Sequence, residues 1–147
     1  MIKNSYFAAG CFWGVEDKFQ KLEGVKEAIS GYSAGKTLNP TYKQVCKGDT
    51  GHAETVKVIY DDEKISFNRL CEFFFDMHNP CQINGQGVNI GSNYRSIAFY
   101  ETIEEFEILE NVKKIKQNTL KVKIVTEILP FKSFFEAEEY HQDYYSK

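Results

Sequence analysis

No apolar run in the chain approaches the roughly 18 residues needed for a membrane-spanning helix. The N-terminal MIKNSYFAAG also lacks an apolar stretch long enough for a signal peptide, so no membrane association and a cytoplasmic location are expected. Excess positive charge is missing as well. The formal net charge is −3, which gives no broad field to neutralise phosphates, and no nucleic-acid partner is expected. The densest basic stretch, Lys113 to Lys123, alternates with apolar residues and reads as a solvated helix face and strand edge. The four cysteines, Cys11, Cys46, Cys71 and Cys81, contain no CxxC pair. Together with His52, His78 and His141 they form no familiar zinc pattern, so neither a metal nor an organic cofactor is expected. In a reducing compartment all four are thiols until something oxidises them.

What is present is large apolar surface. The chain of 147 residues carries 12 Phe and 9 Tyr, and 42% hydrophobic against 27% charged residues is the balance of a folded globular protein. A chain of this length suits one domain with a substantial core, so residues 1–147 are expected to form a single domain.

Local patterns then place the elements. SYFAAG reads as a short buried strand, and Val15, Phe19 and Leu22 at helical spacing predict a helix from about Cys11–Gly14 to Leu22. Val25 to Tyr32 is a second strand. It is followed by the loop SAGKTLNPT and a short helical turn from Tyr42 to Cys46. GDTGHAE is turn-rich and runs into TVKVIY, where Val56, Val58 and Tyr60 alternate as in a strand. Ser66 caps a helix whose apolar face is Phe67, Leu70, Cys71, Phe74 and Met77, and Asn79-Pro80 stops it. CQINGQGVNIGSN is a long loop without periodicity, a length usually kept for function. Tyr94 to Tyr100 reads as a strand, Thr102 with Glu105 as a capping box for a helix over 103–117, and Val122 to Ile128 as another strand. Ser133 with Glu136 predicts a last helix ending near Tyr145. This order implies an α/β (α+β) two-layer sandwich without internal repeats: a mixed β-sheet with packed helices and a ferredoxin-like core.

Of the four cysteines, Cys11 stands at a strand-to-helix junction. Unpaired N–H groups and the positive end of the helix dipole there favour thiolate over thiol, although a small buried residue between Gly10 and Gly14 would occupy the same place. Phe12 and Trp13, the only Trp, set two large rings beside the sulfur; such a pair can be core or the walls of an apolar pocket.

The run Gly-Cys-Phe-Trp-Gly at 10–14 resembles the active-site signature of the methionine sulfoxide reductase A family. Further segments resemble the family in the same order: Gly31-Tyr32-Ser33-Ala34-Gly35, Tyr42 to Gly48, Gly51-His52-Ala53-Glu54, Asn84 to Ser96 around Gln86-Gly87 and Tyr94-Arg95-Ser96, and Ala137 to Tyr144. The resemblance spans nearly the whole chain. It implies thiol-dependent reduction of methionine-S-sulfoxide, protein-bound and free, for the repair of oxidised proteins. By the family pattern Cys11 is the nucleophile that becomes a sulfenic acid as methionine leaves, the first rung of thiol oxidation. Glu54 matches the acid that protonates the departing oxygen, Tyr32 and Tyr94 match the tyrosines that hydrogen-bond it, and Phe12 and Trp13 match the walls around the ε-methyl group. His52 reads as a loop hydrogen-bonding residue and His78 as a helix C-terminal cap, without catalytic roles.

Two departures from the family pattern stand out. Asn89 occupies a place in Gly87 to Gly91 where an aspartate is usual, which keeps hydrogen bonding but removes charge. No cysteine follows the predicted last helix, where many members carry resolving cysteines. Cys81, in the loop beside the site segments, is then the better internal resolving candidate and Cys46 the weaker, since a disulfide needs Cα atoms within about 7 Å. Cys71 reads as core. An external thiol, thioredoxin or glutathione with glutaredoxin, is the expected reductant. Two other classes of protein are compatible with these residues. An acyl-transferring cysteine amidase would want a histidine base that no motif provides, and a module that binds methionine sulfoxide without turnover would fit the change at Asn89.

Overall fold

The computed structural model describes all residues from Met1 to Lys147. The elements run β1 (Ile2–Ala9), α1 (Phe12–Gln20), β2 (Val25–Ser33), α2 (Tyr42–Cys46), β3 (Ala53–Asp61), α3 (Phe67–Asp76), β4 (Gly85–Gln86), β5 (Asn89–Ile90), β6 (Ser96–Tyr100), α4 (Ile103–Gln117), β7 (Glu127–Pro130) and β8 (Phe135–Glu136). Single 3₁₀ turns cover Ser92–Tyr94, Glu139–His141 and Tyr144–Ser146.

Six strands form one mixed sheet in the order β7-β6-β1-β3-β2-β8, and β4 pairs with β5 in a separate small hairpin. The central order β6-β1-β3-β2 comes from the chain order β1-α1-β2-β3-α3-β6 with every neighbour antiparallel, which is the ferredoxin-like split βαβ arrangement. Helix α4 carries the chain over to β7, which joins β6 in parallel.

The period-two alternation of the strands divides the core. Phe7, Ala9, Val56, Val58 and Ala98 face α1, α3 and α4 in the main cluster, with Phe12, Phe19, Leu70, Phe74 and Leu109 packed on them. Tyr6, Ala8, Ala53, Ile97 and Phe99 face the other way and are covered by Leu129, Phe131 and Phe134. Helix α1 docks through Phe12, Val15, Glu16 and Phe19, the i, i+3, i+4, i+7 face that the sequence spacing predicts.

Several boundaries follow local chemistry. The Ser66 side chain accepts from the Arg69 N–H at the start of α3. Thr102 likewise accepts from Glu105 N at 3.2 Å, but the Glu105 carboxylate returns to the N–H of Glu101 rather than Thr102, so only half of the expected box closes. The loop from Cys81 contains the two-residue β4/β5 ladder where no regular structure is expected.

Two expected elements are replaced. Over Val122 to Ile128 only Glu127 onward joins the sheet. The preceding residues bond instead to the α4 end and the α3 exit, with Ile124 N donating to Gln117 Oε1 (2.7 Å) and Val125 N to Pro80 O (2.8 Å). The helix expected from Ser133 to Tyr145 is absent. Phe135 and Glu136 pair with Tyr32 and Gly31 as an edge strand, Ala137 N donates to Ser30 O, and Asp143 takes a left-handed φ of 52° that no helix continues through.

Candidate active site

Strand β1 ends at Gly10, whose φ of +94° turns the chain into α1. A Cβ there would stand 2.7 Å from Gln86 Cβ, so both the turn and the close approach of the β4 segment require glycine. Cys11 follows as the N-cap residue of α1, half-buried, in extended conformation.

Burial pushes the Cys11 thiol up. The Trp13 and Gly14 backbone N–H groups pull the other way, while the charges of Glu54 and Cys46 add to the rise. The helix N-terminus therefore acts as the sequence suggests but is outweighed, and the resting group is a thiol.

Glu54 is the second residue of β3 and 1% exposed. Its Oε1 accepts from the Phe12 N–H at 3.1 Å, and its Oε2 has no partner at all. Burial lifts its pKa to about 7 against the smaller pull of the Phe12 N–H and the Asn93 amide. In the β2–β3 ladder Glu54 lies directly opposite Tyr32, so the two side chains share a face. Tyr32 is fully buried, its ring 5.7 Å from that of Phe12, and its hydroxyl donates to Glu138 Oε1 at 2.8 Å. Tyr94 closes the group from its 3₁₀ turn, half-buried. Burial raises its pKa most, followed by the charges of Glu54, Cys46 and Cys11, while the Tyr42 hydroxyl lowers it.

The walls are aromatic. Phe12 is fully buried, with the Tyr42 ring at 6.2 Å and the His141 ring at 5.1 Å. Trp13 is half-buried, stacks on Tyr144 at 3.8 Å and 6°, and donates its indole N–H to His141 Nδ1 at 2.9 Å.

Glu54 thus links to Phe12 by its hydrogen bond, to Tyr32 across the ladder, and to Cys11 and Tyr94 by charge, with Trp13 next along α1. Asn89 does not join them. It is exposed on β5, and the amide beside Glu54 belongs to the buried Asn93. The two resolving candidates also separate. The Cys81 thiol donates to Val122 O at 3.3 Å, whereas Cys46, exposed at the end of α2, feels the charge of Glu54 and the opposing pull of the Tyr42 hydroxyl. Cys71 is buried in the core, as expected.

His52 and His78 make the hydrogen bonds expected of them. His52 Nδ1 accepts from Gly35 N at 3.1 Å and His78 Nδ1 pairs with Phe74 O at the end of α3. Sequence reasoning misses Glu138, His141 and Asn93. The segments that contain them are matched by the resemblance, but nothing in their spacing shows what each side chain meets. No group of three or more His, Cys, Asp or Glu side chains is close enough together to hold a metal ion.

The family model for peptide methionine sulfoxide reductase matches residues 3–147. A peptide methionine sulfoxide reductase MsrA from Sulfolobus acidocaldarius is 46% identical over 138 residues, covering 94% of this chain and 78% of the relative. The Pasteurella multocida MsrA is 46% identical over 144 residues, 98% of this chain and 83% of its own. Among solved structures, Mxr1 from Saccharomyces cerevisiae in reduced form superposes with a TM-score of 0.94 at 36% identity, covering 99% of this chain and 84% of that one. The same protein in complex with Trx2 gives 0.70 at 28% identity, covering 97% and 84%. Fold and matches together define an oxidoreductase that reduces methionine sulfoxide. The chain belongs to the peptide methionine sulfoxide reductase family.

Proposed function

We propose that this protein, acting as a single catalytic domain in the cytoplasm, reduces the S epimer of methionine sulfoxide, free and in oxidised proteins, through a sulfenic acid on Cys11. The observation that carries the reading is Glu54, a carboxyl group buried beside Cys11 with one oxygen unpartnered and a pKa of about 7. A group poised there can take a proton and return it at neutral pH.

The Cys11 sulfur attacks the sulfoxide sulfur. Its proton passes to Glu54, and Glu54 delivers a proton to the sulfoxide oxygen, since an unprotonated oxide leaves poorly. The oxygen, with that proton, ends on Cys11 as S–OH, and methionine departs reduced. Tyr94 donates to the oxygen and stabilises charge developing there, Tyr32, whose own proton goes to Glu138, accepts from the oxygen once it is protonated, and Phe12 and Trp13 hold the ε-methyl group. With oxygen directed to Glu54 and methyl to the rings, only one configuration at sulfur leaves the third substituent facing the opening. The Asn93 amide, rather than Asn89, favours the charged form of Glu54.

A thiol then attacks the sulfenic acid, forming a disulfide and releasing water, and a second thiol restores Cys11. The Mxr1–Trx2 complex supports thioredoxin as that reductant, with glutathione and glutaredoxin as the alternative. As an internal resolver Cys46 is better supported than Cys81, because its thiol acts electrostatically on Cys11 while that of Cys81 is turned to Val122.

The test is to incubate the protein with the separate S and R epimers of a methionine sulfoxide peptide without reductant, then count methionine and map all four cysteines by mass spectrometry. One equivalent from the S epimer with oxidation at Cys11 is expected. A Cys11–Cys46 bond would name the internal resolver, and a free sulfenic acid would assign the step to an external thiol. No methionine, with Cys11 still reduced, would sink the mechanism.

A further inference from the structure

Glu138 contacts neither Cys11 nor Glu54 by hydrogen bond, yet both its oxygens are directed at the site. Oε1 accepts the Tyr32 hydroxyl at 2.8 Å and Oε2 accepts the Tyr42 backbone N–H at 3.0 Å. Tyr32 belongs to β2 and Tyr42 opens α2, and their rings stand 5.7 Å and 6.2 Å from Phe12. One carboxylate therefore ties together two walls of the pocket carried by different elements.

The carboxylate is itself firmly held. On one side Ala137 N donates to Ser30 O at 2.9 Å; on the other, Gln142 Nε2 donates to Ser30 O (2.8 Å) and Ala137 O (3.0 Å), and its Oε1 accepts from Ser30 N (2.9 Å). Asp143 N donates to the buried Glu16 at 2.6 Å. A side chain set between such anchors works as a prop rather than a mobile surface group.

The phenol of Tyr32 is fully buried and has one proton to give. Without an acceptor that proton would be orphaned in an aromatic interior, and the ring would turn to find another. We infer that Glu138 is a positioning residue for the reduction step: by accepting the Tyr32 proton it fixes the phenol oxygen with a lone pair free to accept from the sulfoxide oxygen once that oxygen is protonated, and through Tyr42 it fixes the facing wall. The inference rests on the proposed contact of Tyr32 with the sulfoxide oxygen.

The experiment is single-turnover methionine formation over a range of S-sulfoxide concentrations, for the wild-type protein and for Y32F, Y94F, E138A, E138Q, Y32F/E138A and Y94F/E138A. Misplacement of a group on this scale slows the chemical step by between about tenfold and a hundredfold. E138A and Y32F are expected to lower the rate constant by similar factors, and Y32F/E138A to be no slower than the slower single variant. The losses in Y94F/E138A are expected to come closer to multiplying than those in Y32F/E138A, because Tyr94 meets Glu138 only at second hand, through Tyr42. E138Q keeps one acceptor oxygen for two donors, and is expected to recover part of the rate and to remain non-additive with Y32F. Should E138A not fold, E138Q serves as the primary variant with the same cycle. A full rate in both Glu138 variants beside a slow Y32F would overturn the inference and leave the role of Tyr32 intact. A full rate in Y32F would overturn both. Loss confined to the substrate concentration dependence, or losses in Y32F/E138A that multiply, would reduce Glu138 to a structural contact.

Discussion

Two glutamates, Glu16 and Glu54, are each 1% exposed, and they illustrate opposite uses of a buried carboxyl group. Glu16, inside α1, has both oxygens satisfied: Oε1 accepts from Ser30 N (3.2 Å) and Ser30 Oγ (2.9 Å), and Oε2 from Asp143 N. It joins α1 to β2 and to the C-terminal segment. Glu54 has one backbone donor on Oε1 and nothing on Oε2. Both pKa values are raised by burial in the first place, so depth alone does not separate them. The difference is the unfilled hydrogen-bonding capacity, which a folded protein keeps where another molecule is to supply the partner.

The strongest test of this contrast replaces the nucleophile that Glu54 serves. Cys11→Ser is expected to remove methionine formation by roughly a thousandfold or more, measured as methionine released from the S epimer. Glu54→Gln keeps the shape and removes the proton shuttle; the reduction step should slow by about a hundredfold to ten-thousandfold. The same variant should be more stable at high pH. The folded pKa of Glu54 lies above its ordinary 4.5, so the folded chain binds more protons than the unfolded chain between that value and about 7, and stability falls as pH rises through the interval. The deficit above pH 7 is on the order of 3 kcal/mol. E54Q should thus melt above the wild-type protein in alkaline buffer and level with it in mild acid. Equal melting at both would show that Glu54 carries no buried charge.

Glu16→Ala should do the reverse. Loss of its hydrogen bonds is expected to cost about 3 kcal/mol and lower the melting temperature by roughly 10 °C, with the rate per folded molecule only slightly lowered, because the bonds of Ala137 and Gln142 to Ser30 still hold the Glu138 segment. A large rate loss in a folded E16A would erase the distinction. The pH profile sharpens it further. The reactive state holds one proton between Cys11 and Glu54, so the single-turnover rate should rise through about pH 7 and fall only above the ordinary thiol range, since the Cys11 thiol is raised from 9. The smallest effect is expected at Trp13→Phe, which removes the indole bond to His141. A weakening of substrate binding by about fivefold corresponds to one hydrogen bond of about 1 kcal/mol.

The strands and helices that rest on local chemistry are legible from the amino acids. Tyr42–Cys46 is helical as its Thr41 to Gln44 capping box requires, and Ser66 and Thr102 start their helices through their own hydroxyls. The C-terminal segment is not legible in this way. Ser133 with Glu136 has the spacing of a cap, but the segment follows bonds to Ser30, 112 positions from Gln142, and to Glu16, 127 positions from Asp143. No local pattern encodes a partner that far away. The same separation hides Glu138, 106 positions from Tyr32, while Cys11 and Glu54 are readable through motifs carried within a few residues. The rise of the Cys11 pKa was also out of reach, because the helix end is visible in the sequence and the burial opposing it is not.

The two edges of the main sheet are β7, four residues closing on Pro130, and β8, two residues only. An edge of that kind offers almost no free ladder for another chain to extend, and proline denies it a donor at the end. Damaged proteins expose apolar segments that seek such ladders. On a sheet with such edges an exposed segment of another protein finds no free strand to pair with.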